Sequence, residues 1–516
     1  MRLRTGRLVI ALIAARAGQA AAQTPSYEQL QTLSYLLSEV RLNYVHPVST
    51  EQLVHAAIDG MLRSLDPHSR FVPRSENDRW LAWEAGRLAG TGILLEDEDG
   101  TATVAAVLAG SQAERTGVAP GDRVVAVNDT VASGLAAREL ELRLVGERGT
   151  RVRLKLERGP RAMPDTVTVS VRNELIPPRS VSDSRLLAPG VAYVRLERFE
   201  GEAARDVREA IDRLLPGRQA RSVVLDLRSN PGGEIQAAVD VASLFLLPGA
   251  RICRTEGRRQ EVDREYFARS DGPFTDARLV VLIDRYSASA AEILAGALQD
   301  HDRAVLLGRR SFGKALVQRL YPVPPNGDAV WLTVGYVHTP SGRLIQRSWA
   351  GLSREQYYAL AGSGGAKPDT ATTFRTDSGR TVRGGGGIEP DSILPAPVPA
   401  PLWWSAAADS SVDHAIADSV AVTLPPDQAS RAAWLDEPGR WRARLLEPFL
   451  TRVRQRLGVS AALDSAQAAT IAQMLAARAA EVRWGEETAR EFRRHNDPDI
   501  RAALVRLEAG PPASAR

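Results

Sequence analysis

Four short apolar runs in the middle of the chain constrain its fold more than any other feature. They occupy residues 191–196, 222–227, 279–283 and 304–307. The runs alternate with longer stretches in which apolar residues recur at the spacing of a helix. Buried strands that alternate with helices are typical of an α/β core. We therefore predict a multidomain α/β protein built around such a core.

The regions before this core differ in pattern. From residue 26 to about residue 65, apolar residues recur at helical spacing, which predicts two helices. These should end at the turn 66–69, because Asp-Pro disfavours a continuing helix. Between about residues 88 and 171, short β-rich runs are separated by glycine turns, which predicts a compact small β domain.

The regions after the core are less regular. Residues 348–387 are rich in Gly, Ser, Thr and Arg, and we interpret them as a surface insertion or mobile loop. Closely spaced prolines from Pro395 to Pro401 mark a linker, and the helical spacing at 431–508 predicts an accessory helical region. The predicted boundaries are 1–22 for a signal peptide, 23–82 for an N-terminal helical region, 83–172 for the β domain, 173–400 for the core with an insertion at 348–386, and 401–516 for a C-terminal helical region.

The N-terminus has the pattern of a cleaved export signal. Three arginines precede the apolar stretch 8–15, and small residues lead to an A-x-A site that ends at Ala22. Arg16, directly after this stretch, departs from the usual export-signal pattern. Eight apolar residues are too few to cross a bilayer, which argues against a membrane anchor. We expect an exported protein of a bacterial periplasm or cell surface, and peripheral association with the membrane stays open.

Composition narrows the classes of function. The 66 Lys+Arg and 62 Asp+Glu residues leave a net charge of +4, and basic residues are scattered rather than clustered, so nucleic-acid binding is unsupported. The single cysteine, Cys253, excludes an internal disulfide and a cysteine metal cluster. The sequence also lacks an H-E-x-x-H motif and a dinucleotide-binding glycine fingerprint, so we expect no metal and no organic cofactor.

Lys314 is one of only three lysines in this arginine-rich chain, and it lies 25 positions after Ser289. An amine can lose its proton, whereas a guanidinium in a protein cannot, so a lysine kept here is a candidate base. To accept a proton near neutral pH, its pKa must fall from about 10.4 to ~7–8. Burial beside Phe312, Leu316 and Val317 would lower it, and Gln318 could orient the amine. The alternative is a surface lysine beside a glycine turn.

Ser289 stands at the predicted start of a helix over 290–299, directly after the strand 279–283. A serine at such a position is most often an N-cap, and either Ser287 with Ala290 or Ser289 with Glu292 would fit that role. The alternative makes Ser289 a nucleophile and the N–H of Ala290 a donor to the developing oxyanion. The seven histidines show no triad signature and no G-x-S-x-G elbow occurs, which leaves lysine as the base.

The strand 223–227 is broken by Arg-Ser-Asn-Pro-Gly-Gly before a helix that begins near Glu234. Glycines at a strand-to-helix turn leave backbone N–H groups exposed beside the positive end of a helix, which suits an oxyanion. A plain tight turn is the alternative.

Taken together, these residues resemble the carboxy-terminal processing, or tail-specific, serine proteases. The resemblance rests on the nucleophile segment 287–300, the base segment 311–318, the turn 226–233, Thr-Pro-Ser-Gly-Arg at 339–343 and Gly-Ile-Glu-Pro-Asp at 387–391. Upstream, 60–69 is like the end of the family's N-terminal helical region. Residues 90–93 with 111–127 are similar to a PDZ domain.

This resemblance implies a crotonase-like ββα core, with Ser289 as nucleophile, Lys314 as general base and Gln318 as its orienting partner. Backbone N–H groups of Gly232 and Ala290 would form the oxyanion hole, with Gly233 a less favoured contributor. In the PDZ domain, the loop and strand that would capture a C-terminal carboxylate and add the peptide as a strand are Gly90, Thr91, Gly92, Ile93 and Leu95.

The implied function is that of an exported serine endopeptidase, which recognises exposed C-termini of proteins or peptides and cleaves through an acyl-enzyme. One alternative is a PDZ adaptor on an inactive protease-like scaffold. Another is a crotonase-type acyl-CoA enzyme, which the export signal and the PDZ-like domain disfavour. The sequence does not indicate the oligomeric state.

Overall fold

The computed structural model describes two compact units within residues 25–509. Within the described residues, the first consists of 25–74 with 318–333, and the second of 76–317 with 334–509. The described range excludes residues 75, 79–87, 99–100, 108–110, 119–121, 133–134, 136–139, 141–142, 159–164, 175–179, 218–221, 270–271, 355, 359–371, 397, 399–400, 402, 404–406, 408–411 and 437. The predicted signal peptide at 1–22 lies outside the described residues.

In the first unit, the two predicted N-terminal helices are confirmed. They are α1 (Pro25–Asn43) and α2 (Thr50–Arg63), and Ser49 with Gln52 forms a capping box at the start of α2. The turn after α2 is held by Asp66, whose carboxylate accepts the backbone N–H groups of His68 and Ser69. Strand β1 (Arg70–Val72) then pairs antiparallel with residues 329–331.

The second unit contains the predicted small β domain. Its strands are β2 (Leu88–Gly90), β3 (Ile93–Glu98), β4 (Thr101–Val107), β5 (Arg123–Val127), β6 (Thr130–Val131), β7 (Val145–Glu147), β8 (Arg151–Arg158) and β9 (Asp165–Arg172), with a short helix α3 (Gln112–Arg115). The main sheet has the order β3-β4-β5-β8-β9, and β6 pairs with β5. In β8, Val152, Leu154 and Leu156 alternate with exposed residues, because one face of the sheet covers the domain's core.

The α/β core is confirmed as a six-stranded sheet. In the order in which they lie in the sheet, its strands are β10 (Val181–Ala188), β11 (Val191–Leu196), β12 (Ser222–Asp226), β15 (Arg278–Ile283), β16 (Val305–Gly308) and β21 (Ser392–Ile393). All neighbours pair in parallel except β10 with β11. One face, which includes Leu225 and Val281, packs against α4 (Ala203–Leu214), α5 (Ile235–Ala242) and α6 (Ala290–Asp300).

The opposite face of this sheet is covered by the last helix of the chain. Here Val224, Val280 and Leu282 form one hydrophobic cluster with Ile500 and Leu507. These last two residues lie on α12 (Pro498–Glu508). The final helix of the predicted accessory region therefore packs against the core sheet.

The other C-terminal helices form a separate hydrophobic cluster. They are α7 (Val412–Ala421), α8 (Gln428–Asp436), α9 (Pro438–Leu457), α10 (Ser465–Trp484) and α11 (Glu486–His495). Among the helices that the structure describes, none has both the length and the apolar composition needed to cross a bilayer.

The remaining strands are β13 (Arg251–Gly257), β14 (Arg264–Phe267), β17 (Leu316–Val323), β18 (Asp328–His338), β19 (Thr373–Arg375) and β20 (Thr381–Arg383). The last two form an antiparallel hairpin within the predicted insertion. The hairpin is anchored, because Asp377 and Arg380 bond to His301 and Asp302. Tyr357 is fully buried. The strands of this hairpin are mostly exposed, as a surface insertion would be. Polar contacts and a buried aromatic side chain nevertheless hold the described part of the segment in place, although its composition resembles that of a loop.

Candidate active site

Ser289 lies between β15 and α6, with φ 55° and ψ −117°. An ordinary N-cap residue has extended backbone, and a residue other than glycine with positive φ is uncommon. Such a conformation costs of order 1–3 kcal/mol and persists only where the surrounding structure enforces it. The backbone of Ser289 is therefore not that of a simple helix cap.

Glu292, one turn into α6, is fully buried and holds two segments together. Its Oε2 accepts the backbone N–H of Ser289 at 2.9 Å and that of Lys314 at 2.8 Å. Its Oε1 accepts the N–H of Gly313 at 2.7 Å and the hydroxyl of Ser311 at 2.5 Å. The carboxylate contact of the predicted capping box is present, but the same carboxylate also fixes the segment 311–314.

The charge state of Glu292 is set by opposing effects. Burial raises the pKa of its carboxyl to about 7, while the hydrogen bonds from Ser311, Lys314, Gly313 and Ser289 lower it. All of these groups can donate, so the ionised carboxylate satisfies them together, whereas a protonated one would have to give up an acceptor site. Burial outweighs these hydrogen bonds, so the pKa of Glu292 remains above its ordinary value.

Lys314 is half-buried. It lines a small cavity of about 10 Å³, a volume that suits a single water molecule. The rest of the lining is partly apolar and partly polar, and consists of Cys253, Ile293, Ala315, Val337, His338, Thr339 and Ile345. Of the three residues predicted to desolvate the amine, Leu316 is buried, and Phe312 and Val317 are half-buried.

Ser287 does not cap α6. It is fully buried, and its hydroxyl donates to the backbone carbonyl of Leu227 at 2.7 Å and accepts the N–H of Asp284 at 2.9 Å. The carbonyl of Ser287 accepts the N–H of Phe312 at 2.9 Å. Ser287 therefore joins the ends of β12 and β15 and helps to align the segment that carries Lys314.

The glycine turn after β12 lies directly against Ser289. Gly232 has φ 97°, and a Cβ atom there would lie 2.7 Å from the Cβ of Ser289 and 2.8 Å from the backbone N of Ala290. Only glycine fits such an approach. In this structure the N–H of Gly232 donates to the side-chain oxygen of Asn230 at 2.8 Å, and the Asn230 amide donates to the carbonyl of Leu196 at 2.7 Å.

The other two backbone N–H groups predicted for the oxyanion hole are differently placed. Ala290 is the first residue of α6, and its N–H has no acceptor among the described residues, nor has that of Gly233. A Cβ atom at Gly233 would lie 2.1 Å from the carbonyl oxygen of Phe199. Ala290 and Gly233 thus keep donors available, while Gly232 shares its donor with Asn230.

Gln318 belongs to the first unit. There its side-chain amide donates to the backbone carbonyl of His68 at 3.2 Å. That carbonyl belongs to the turn 66–69 of the same unit. Its role in orienting Lys314 stays a prediction.

The predicted peptide-binding residues lie at the edge of the β domain. Strand β3 is the terminal strand of its sheet and pairs only with β4 among the described strands. Thr91 and Ile93 are buried, Leu95 packs against the same core, and Gly92 has φ 86°. The backbone of Gly90 is already paired with Glu174, through bonds of 3.1 and 3.0 Å. An open edge beside a glycine loop can accept an added strand.

The structure also shows polar residues whose roles the sequence did not reveal. Asp300, at the end of α6, accepts the hydroxyl of Thr339, the N–H of Ser341 and the guanidinium of Arg343. The Thr-Pro-Ser-Gly-Arg stretch is therefore an anchor for the far end of the helix that begins after Ser289. In the sequence, only the resemblance of this stretch to the family pattern indicated that it has a role.

Comparison with known proteins gives consistent matches. The model of Peptidase family S41 matches residues 190–353, and that of the PDZ domain matches residues 84–157. A carboxy-terminal-processing protease of Bartonella bacilliformis is 34% identical over 325 residues, which cover 62% of this chain and 73% of that protein. A carboxyl-terminal-processing protease of Synechocystis is 35% identical over 316 residues, which cover 60% and 72%.

Among solved structures, a photosystem II D1 C-terminal processing protease is 26% identical, with a TM-score of 0.37, and the match covers 70% of this chain and 86% of that one.

Proposed function

The chain belongs to the carboxy-terminal-processing proteases of Peptidase family S41, and from this premise we propose that it is an exported endopeptidase with a Ser–Lys dyad. It is a serine-type peptidase that carries a PDZ domain. In the proposal, the PDZ domain binds the C-terminal tails of protein substrates, and Ser289 with Lys314 hydrolyses peptide bonds through an acyl-enzyme.

The observation that carries the proposal is the carboxylate of Glu292, which accepts the backbone N–H groups of both Ser289 and Lys314. This shared acceptor fixes the spacing of the two segments that the reaction needs. The neutral amine of Lys314 removes the hydroxyl proton of Ser289 as its Oγ attacks the scissile carbonyl. The amine then passes that proton to the leaving nitrogen, and the C–N bond breaks to leave an ester on Ser289.

The second half of the reaction uses the same two groups. Lys314 removes a proton from a water molecule, which attacks the ester carbonyl, and the proton returns to the Oγ of Ser289 as the C–O bond breaks. The product leaves with a new carboxylate at its C-terminus. Both halves require a lysine that is neutral at the working pH.

The tetrahedral intermediates carry a negative oxygen that backbone N–H groups would bind. Ala290 supplies a donor at the positive end of α6. Gly232 supplies a second one, provided that its N–H leaves the 2.8 Å bond to Asn230. Gly233 is the alternative second donor. The close approach of the turn to Ser289 supports this assignment.

Tail binding and export complete the proposal. The open edge of β3 can pair with an extended peptide, while Gly90 to Gly92 approach its terminal carboxylate and Ile93 with Leu95 contact its last side chain. The N-terminal segment 1–22 has the pattern of an export signal, which would direct the enzyme to a periplasm or cell surface.

The dyad is tested with Ser289→Ala and Lys314→Ala on a substrate that carries an unstructured C-terminal tail. Each change should lower kcat/KM by ~10³-fold or more without loss of fold. Ser348→Ala and Lys155→Ala, which alter an exposed serine and an exposed lysine, are matched controls and should keep full activity. Cleavage at the wild-type rate by both dyad variants would contradict the proposal. Tail binding without turnover, with no labelling by a serine-reactive probe, would instead favour the adaptor.

A further inference from the structure

The last helix of the chain meets the core sheet at two places. Its side chains Ile500, Ala503 and Leu507 pack on one face of the sheet. Its first turn lies at the carboxyl ends of β12 and β16, where Asp497 caps the helix by accepting the N–H groups of Asp499 and Ile500. The helix thus brings two carboxylates to the edge from which the glycine turn departs.

Those carboxylates bind Arg228, the second residue after β12. The Nη1 atom of Arg228 donates to Asp499 Oδ2 at 3.0 Å, and its Nη2 lies 2.9 Å from Asp497 Oδ2. Nε and Nη2 of the same guanidinium donate to the fully buried Asp226 at 2.9 and 2.6 Å. Arg228 is therefore clamped between the end of its own strand and the start of α12.

A second arginine connects the same carboxylates to the end of β16. Arg309, directly after β16, pairs with Asp499 and donates to the carbonyl of Pro395. Asp226 also accepts the hydroxyl of Tyr193 at 2.7 Å. Because these charges are largely buried, removing one partner leaves another without compensation, which is costly.

The contacts of Arg228 with Asp226, Asp497 and Asp499 are adjacent in sequence to the glycine turn 229–233. Arg228 is followed immediately by Ser229 to Gly233, and Gly232 approaches Ser289 so closely that no Cβ atom fits between them. A displacement of Arg228 would be passed through three residues to that contact. Misplacing reacting groups by about 1 Å can cost ~10²-fold in rate.

We propose that Asp499, assisted by Asp497, is a positioning residue for peptide-bond hydrolysis: it holds Arg228 so that the turn 229–233 meets Ser289 and Ala290. This inference rests on the proposed function. It places part of the active-site support in α12, which lies outside the residues 190–353 that the peptidase model matches. The C-terminal helix is thus a component of the protease core and of its chemistry.

The test separates positioning from simple loss of stability. Asp499→Asn keeps the shape of the side chain and removes its charge. We expect kcat on the tail-bearing substrate to fall ~10–100-fold, with KM unchanged, and labelling of Ser289 by a fluorophosphonate to slow in parallel. Asp499→Glu should restore part of the rate, because it restores the carboxylate.

Arg278→Met is the matched control. Arg278 donates to the carbonyl of Leu507 at 2.9 Å, so it ties the same helix to the same sheet at the opposite end. This variant should lower the thermal midpoint as Asp499→Asn does and keep the wild-type kcat. Equal losses of kcat in the two variants would show that only docking of the helix matters, and would overturn the proposal.

The remaining outcomes are also decisive. Wild-type kcat in Asp499→Asn, with Ser289→Ala inactive, would overturn this inference and leave the proposed function in place. Wild-type cleavage by Ser289→Ala would overturn both.

Discussion

The backbone N–H groups of Ser289 and Lys314 share one acceptor, the Oε2 atom of Glu292. A single buried carboxylate thereby connects the start of a helix with a segment 25 positions further along the chain. The contact involves only backbone donors, so it sets where the two residues lie without using the hydroxyl of Ser289 or the amine of Lys314.

Glu292→Gln should lower kcat by ~10–100-fold and destabilise the fold by ~1–3 kcal/mol. An amide offers one acceptor oxygen and one NH₂ donor, and that donor would face N–H groups that also donate. Peptide cleavage and urea unfolding measure the two effects. Glu202→Gln, at an exposed glutamate, is the control and should change neither; an unaltered kcat in Glu292→Gln would remove Glu292 from the site.

The pH dependence follows from the same carboxyl. Its pKa rises from the ordinary 4.5 to about 7, so the fold favours the protonated form. The contribution of Glu292 to stability is therefore complete below pH 4.5 and is lost as the pH rises through about 7. Activity should rise as the pH passes through about 7, because only the ionised carboxylate accepts all of its donors.

The rise in activity through about pH 7 gives an inflection in the pH–rate profile of the wild-type protein. In Glu292→Gln this inflection should vanish, and the only inflection left should be that of the general base. Profiles of kcat/KM for the two proteins measure it. If the variant keeps an inflection near pH 7, that inflection belongs to another group, with Lys314 the first candidate.

Lys314→Arg should be as inactive as Lys314→Ala, since arginine preserves the charge and cannot supply a neutral amine. Lys155→Arg is the control, at an exposed lysine of the PDZ domain. Initial rates of peptide cleavage across pH 6–10 give the comparison. Recovery of activity in Lys314→Arg would mean that this residue contributes charge and not a proton-accepting amine.

Gly232→Ala should abolish cleavage and destabilise the protein, because the added methyl would lie 2.7 Å from the carbonyl of Ala288 and from Ser289 Cβ. Gly217→Ala is a matched control: its φ of 79° is equally unfavourable, yet no atom lies within 4 Å of the added Cβ. It should cost ~1–2 kcal/mol and retain activity. Thermal unfolding and kcat distinguish the two, and similar activity losses in both variants would point to backbone strain alone.

Gly92→Val should weaken binding of a labelled tail peptide at least ~10-fold, since a β-branched residue is strained at φ 86° beside the edge strand β3. Fluorescence anisotropy with Ser289→Ala as the background measures binding without cleavage. Gly149→Val, at φ 92° in an open turn of the same domain, should bind normally. Unchanged binding in Gly92→Val would place the tail elsewhere.

The sequence predicted local structure well and long-range contacts poorly. The helix after Ser289 was predicted to end at 299 and ends at Asp300, because its apolar spacing is strong and a buried strand precedes it. Glu292 was interpreted only as a capping partner, since three of its four donors come from residues 311–314. No local pattern encodes that contact.

The absence of a local signal for long-range contacts also explains the two largest differences between the sequence-based predictions and the structure. Tyr357 lies in a stretch with the composition of a loop, yet it is buried against Phe312, with ring centroids 5.9 Å apart. The apolar spacing of α12 showed that one face of the helix must be covered but not which surface covers it. The left-handed backbone of Ser289 likewise depends on Gly232 and on Glu292, which only the folded chain brings near.

The position of α12 determines when the protease core can be finished. Synthesis delivers the sheet strands up to β16 nearly 200 residues before Ile500, Ala503 and Leu507. Until those residues arrive, Val224, Val280 and Leu282 lack the helix that packs on their side of the sheet, and exposed apolar surface is prone to aggregation. A chain cut short before residue 498 would lack the helix that packs on this face, and the apolar residues there would be open to contact with other proteins.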